Sequence, residues 1–180
     1  MKNFKTQIVL LFSLFALATS CSDEFLTEEP KDSLFADNLY SNKDGFQQGL
    51  NAVYSLVRQE RSDRSGSSHE GSLMWKTGTD VAWGNRTYSS LRAFDIYGTN
   101  LSPSDGILNT VFNWLYDVVN ASNTIISRSE SLDVDWQGAN AQEDLINKNL
   151  IVAQARLLRA WAYRHLTGTW GDVPLSIEEI

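Results

Sequence analysis

The chain has 180 residues, 22 acidic against 15 basic, giving a formal charge of −7 and a pI of about 4.8. A field of that sign repels phosphate backbones and argues against nucleic-acid binding. A single cysteine excludes an intramolecular disulfide, and two histidines in unrelated contexts, His69 and His165, support neither a histidine metal site nor a catalytic triad.

The N-terminus reads as an export signal over residues 1–20. Lys2 and Lys5 form a positive start, the apolar run Ile8–Ala18 follows, and Ala18, Thr19 and Ser20 precede Cys21. The run is too short for a bilayer span, which needs about 20 residues, so it predicts a cleaved signal. Cys21, directly behind small residues, is expected to be a lipid-acceptor cysteine; the plainer alternative is a secretory signal with an incidental cysteine. Acyl chains there anchor the protein, each buried methylene contributing about 0.8 kcal/mol. Residues 21–40 then form an acidic tether with Asp23, Glu24, Glu28 and Glu29. Residues 1–21 hold two lysines and no acid, so the remainder carries 13 basic and 22 acidic residues, a charge of −9. That remainder is long enough for one domain with its own core, placed at 41–180.

The first helix is expected over Asp44–Glu60. Phe46, Leu50, Val53, Tyr54 and Val57 draw one apolar stripe, and Asn42 or Asp44 suits the N-cap. A second helix, about Gly106–Ser127, enters through Ser102-Pro103-Ser104-Asp105. Its stripe is Val111, Leu115, Val118, Ser122, Ile125 and Ile126, with Trp114 at the margin. Asn123 on its flank reads as a satisfied structural amide. Asp133-Val-Asp135-Trp-Gln137-Gly138 begins like a calcium loop but has Gln at position five and Asp144 at position twelve, so a solvated connection is the expectation. A third helix, about Gln142–Leu166, mixes Ala153, Ala155, Ala160 and Ala162 with Leu157, Leu158 and Trp161, a surface made for close helix packing. Thr167, Gly168 and Thr169 weaken it, Gly171 permits a left-handed turn, and Pro174 pushes Val173 toward extended geometry. Six tryptophans are present; Trp114 and Trp161 fall in helical patterns and are expected in the core, and Trp75, Trp83, Trp136 and Trp170 read as loop residues.

Residues 153–175, AQARLLRAWAYRHLTGTWGDVPL, resemble the SusD/RagB family of outer-membrane nutrient-binding lipoproteins, in which a helix with an RA-x-x-Y run leads into a GDVPL-like turn. Phe112, Tyr116, Val119 and Asn123 approximate a second pattern of that family, W-x-x-x-Y-x-x-I-x-x-x-N. The resemblance covers nearly all of this chain but only the N-terminal part of a typical member. It implies an all-α fold of tetratricopeptide-like helical pairs; no such period is visible in the sequence itself. It also implies that the acidic stretch behind Cys21 directs display on the cell surface.

Between the first two helices lies a long aromatic-rich loop, residues 69–105, too long for a passive connection and too aromatic for disorder. Planar rings beside carboxylate, amide and guanidinium groups suit a pyranose, which offers an apolar C–H face and hydroxyls. The candidate ligand-binding residues are Trp75, Asp80, Trp83, Asn85, Arg86 and Tyr88, with Trp83 and Tyr88 expected to be exposed beside Gly84 and Asn85. The plainer reading makes these aromatics a satellite core. By resemblance, the protein is a non-enzymatic, cofactor-free, lipid-anchored binder of the outer membrane. It captures oligosaccharides and passes them to a SusC-like TonB-dependent transporter. A peptide-capturing relative, an envelope scaffold and, last, a surface glycoside hydrolase are the alternatives; for hydrolysis no carboxylate pair is selected by spacing.

Overall fold

The structure is a computed structural model, and it describes residues 39–61, 74–83, 93–95 and 102–179. The export signal, Cys21 and the tether lie outside these residues, as do Asn85, Arg86 and Tyr88. Three α-helices stand among the described residues: α1 (Lys43–Arg58), α2 (Gly106–Ser131) and α3 (Ala141–Trp170). The architecture is all-α; the only strand-like feature described is a single bridge between Asn42 and Asp135. No helix among these residues is long and apolar enough to cross a membrane.

Each helix begins at a side-chain cap. Asn42 Oδ1 accepts from Gly45 N at 3.0 Å, leaving Asp44 in the first turn, where the helix dipole favours a carboxylate. Asp105 Oδ1 accepts from Ile107 N at 2.8 Å, and Asn140 Oδ1 from Gln142 N and Glu143 N. A short 3₁₀ turn, Gln59–Arg61, continues α1.

Long-range hydrogen bonds fix the helix directions. Lys43 Nζ reaches Asn147 and Tyr54 Oη reaches Gln154, so α1 and α3 run parallel. Trp114 Nε1 donates to Leu56 O while Arg128 lies over the Tyr40 ring, so α2 runs against α1. Arg156 meets Glu130 and Trp161 meets Trp114, so α3 runs against α2. Consecutive helices are thus antiparallel, in an up-down-up arrangement.

The predicted stripes form the core, except that Tyr54 is 41% exposed and Val57 only partly buried. Phe46, Leu50 and Val53 of α1 meet Val111, Leu115, Val118 and Ile125 of α2, all essentially without solvent contact. From α3 come Ala155, Ala162 and Leu166, equally buried. The alanines let α3 approach closely, and burial of the large side chains contributes roughly 1.5–3 kcal/mol apiece. Two glycines of α1 answer the same demand: a Cβ at Gly45 would collide with the Leu39 carbonyl oxygen, and one at Gly49 would sit 2.6 Å from Tyr40 Oη.

Two sequence expectations need correction. Helix α3 does not weaken at Leu166 but continues through Thr167, Gly168 and Thr169 to Trp170, with Gly171 at φ 75° as its C-cap. Trp75 Nε1 donates to Thr169 Oγ1 at 3.0 Å and Trp170 packs edge-on to Phe112 at 5.3 Å, so tertiary contacts override propensity. Trp170 is therefore a helix residue. Trp114, at the edge of its stripe, is in the core as expected, at 5% exposure. The α2–α3 connection is not simply solvated: Lys43 N donates to Asp135 O, Asp135 N donates to Ser41 O, and Trp136 is buried against Phe46. Its carboxylates serve the backbone, Asp135 accepting from Gln137 N and Asp144 from Gly138 N. No acidic, histidine or cysteine cluster suited to a metal stands among the described residues. Of the long loop, only residues 74–83, 93–95 and 102–105 are described.

Candidate ligand site

The first described piece of the loop, residues 74–83, is a turn closed on itself and fastened to α3. Gly78 takes φ 77°, a left-handed conformation costly for other residues, and its N–H donates to Asp95 Oδ1 at 3.2 Å. Thr79 Oγ1 donates to Lys76 O at 2.7 Å, and Thr79 N donates to Ala82 O at 3.3 Å. Thr77 and Met74 are buried beneath.

Trp75 is the fastening. Its ring stacks on His165 at 4.0 Å between centroids, and its Nε1 donates to Thr169 Oγ1 at 3.0 Å. Trp161 meets the same imidazole edge-on at 4.7 Å. Trp161, His165 and Thr169 are spaced by four on α3, one face of the helix. Burial pushes the His165 pKa below its usual value and the Arg164 guanidinium adds to this, while Glu60 opposes it. A neutral imidazole between two indoles is the favoured state.

With its base held, the turn sends Asp80, Val81 and Trp83 outward. Val81 is 85% and Trp83 80% exposed, and Asp80 is also at the surface. A free indole face stacks on the C–H side of a sugar ring, and a nearby carboxylate accepts from hydroxyls. The structure therefore brings two of the six predicted residues, Asp80 and Trp83, onto one exposed turn. Trp75 stands at its base, half-buried, as a holding residue. His165, Thr169 and Asp95, which fix the turn, were not singled out from the sequence; the i, i+4, i+8 spacing of Trp161, His165 and Thr169 was the signal available.

The residues that carry the family resemblance assemble elsewhere, around residues 173–179. Asn123 is fully buried; its Nδ2 donates to Ser176 O at 3.2 Å and Glu178 O at 2.9 Å, and its Oδ1 accepts from Arg159 Nη1 at 2.8 Å. Tyr163 Oη accepts from Ser176 N at 2.6 Å and donates to Ser176 O at 3.0 Å, and Tyr116 Oη donates to Pro174 O at 2.6 Å. Arg128 pairs with Glu179 at 2.9 Å. The helix motif and the segment behind the GDVPL turn are thus one clamp, and Asn123 is the satisfied amide expected of it.

No protein-family model and no solved structure matches the chain. Curated proteins do. SusD-like protein P25 of Formosa agariphila is 26% identical over 185 residues, covering 99% of this chain and 32% of that protein. SusD-like protein P2 of the same organism is 26% identical over 97% of this chain and 31% of its own length. A SusD-like protein of Bacteroides ovatus is 23% identical over 95% of this chain and 28% of its own. The chain therefore spans about a third of the length of the curated relatives it matches. Alignment along nearly the whole chain to three SusD-like proteins supports the resemblance to the SusD/RagB family.

Proposed function

We propose that this chain is part of a glycan-binding lipoprotein of the outer membrane that captures oligosaccharides and delivers them to a SusC-like TonB-dependent transporter. The observation that carries the reading is Trp83, a large apolar ring left 80% exposed on a turn that is otherwise tied down by its own hydrogen bonds and by Trp75. Exposing an indole has a solvation cost that a stacked sugar ring removes. Holding the turn rigid beforehand limits the entropy lost on capture. The work is binding and release, with no bond broken. Asn85, Arg86 and Tyr88 follow Trp83 in sequence and are the remaining proposed contacts. Cys21 supplies the lipid anchor in this reading, and the acidic tether directs display at the surface.

The test is equilibrium binding of neutral oligosaccharides to the chain and to Trp83→Ala, read by calorimetry. Loss of roughly 1–3 kcal/mol of affinity with unchanged thermal stability supports the reading. Unchanged affinity, or a matching loss of stability, refutes it; tight binding of peptides in place of glycans transfers the site to peptide capture. Recovery of a TonB-dependent transporter at near-equal stoichiometry with the lipidated protein from native outer membranes tests the delivery step.

A further inference from the structure

A cleft of about 680 Å³ is lined in part by Trp75. That volume is within the range of small-molecule sites, roughly 300–1,000 Å³. Its walls come from separate segments: Trp75 from the turn, Phe94 from residues 93–95, Ser102 from the entry to α2, and Gly168, Thr169 and Trp170 from the last turn of α3. The geometry points to a further sugar subsite here, taking one neutral pyranose ring; the inference rests on the glycan-binding reading above but on different residues from Asp80 and Trp83.

Three features select that ligand. First, the two large rings are fixed before any ligand arrives. Trp75 is stacked on His165 and bonded to Thr169, and Trp170 is braced edge-on by Phe112. Both are only half-buried, so ring surface remains for stacking, while Phe94, 5% exposed, closes the floor. Second, the described lining carries hydroxyls and no charged side chain. Ser102 Oγ is shared with Ser104 Oγ at 2.8 Å, and Thr169 Oγ1 accepts from Trp75 while keeping a proton of its own. A neutral polyol exchanges hydrogen bonds with such water-accessible hydroxyls. Third, the helix leaves the space open at Gly168. A Cβ there meets nothing within 4 Å, yet glycine in a helix interior is unfavourable relative to alanine.

That glycine supplies the test. Gly168→Leu puts a side chain into open cleft space and raises helix propensity, so the fold is retained or stabilised while the subsite is filled. The probe is an equimolar set of methyl glycosides of glucose, galactose, mannose and xylose, with methyl glucuronide as the charged control. Binding is read by saturation-transfer NMR on the wild-type chain, Trp83→Ala, Gly168→Leu and the double variant. The expected result is that Trp83→Ala retains transfer to at least one neutral glycoside, that the double variant loses at least tenfold of it, and that glucuronide stays silent throughout. Retained transfer in the double variant overturns the subsite, as does complete loss in Trp83→Ala alone, equal binding of glucuronide, or silence in the wild type. Loss in Gly168→Leu with none in Trp83→Ala keeps the subsite and refutes the exposed turn instead.

Discussion

Asn123→Ala removes the centre of the clamp and gives the most quantitative handle on the fold. Asn123 has no solvent exposure and three good hydrogen bonds, two to backbone carbonyls and one from a guanidinium. A neutral bond contributes about 1 kcal/mol net and one to a charged partner about 1.5–3 kcal/mol. The gross loss is therefore about 3.5–5 kcal/mol. Part is recovered, because Arg159 is half-exposed and keeps a 3.3 Å contact to Ile177 O, and because the carbonyls of Ser176 and Glu178 reach water once the segment lifts. A net loss of about 2–4 kcal/mol is expected. Urea unfolding followed by tryptophan fluorescence measures it, and hydrogen exchange at residues 173–179 reports the segment separately. Tyr163→Phe loses the phenol bonds to Ser176 and the longer one to Pro174 O and is expected to cost about 1–2 kcal/mol. A loss below about 0.5 kcal/mol for Asn123→Ala, with the segment still protected, refutes the clamp.

His165 gives a pH signature. Its folded pKa lies below the usual 6.5, so the unfolded chain binds a proton first on acidification. The stability this group confers is complete above about pH 6.5 and is lost as pH falls through the folded value; thermal midpoints of the wild type are expected to decline over that window more steeply than those of His165→Gln. The stripe Ile146, Leu150 and Leu157 on the outer face of α3 is exposed by about half or more, so Leu150→Gln with Leu157→Gln is expected to leave stability within about 0.5 kcal/mol while lowering concentration-dependent light scattering. For the anchor, Cys21→Ser is expected to move the protein from the membrane to the soluble fraction on fractionation; persistence in the membrane refutes lipidation at that position.

Helix positions and the core were legible in the sequence because the signals were periodic. Phe46, Leu50 and Val53 recur at four and three, and Asn42 and Asp105 carry cap chemistry in their own side chains. The end of α3 was not legible. Thr167 and Gly168 are poor helix formers, and only contacts from Phe112 and Trp75, distant in sequence, hold that last turn. The same limit applied to the tryptophans. Trp75, Trp83 and Trp136 look alike in a loop composition, yet one is a fastening, one is exposed and one is core. Which is which depends on partners such as His165 and Phe46 that local spacing does not reveal.

The division between clamp and turn also says what the resemblance can carry. Arg159, Tyr163, Asn123 and Tyr116 are the residues by which the chain is recognised, and each is committed to backbone atoms of 173–179 or to another clamp residue. A polar group spent in this way is poorly placed to meet a sugar, since a ligand would have to displace a buried, charge-assisted network worth more than one hydrogen bond to a hydroxyl. Under the proposed function, ligand choice lies with side chains whose hydrogen-bonding capacity is still open to solvent, among them Asp80 and Trp83 and the hydroxyls of the cleft beside Trp75. The resemblance accordingly constrains how the scaffold is held together much more tightly than it constrains which ligand is bound. Two members sharing the clamp but differing in residues 74–105 are expected to share a fold and differ in specificity.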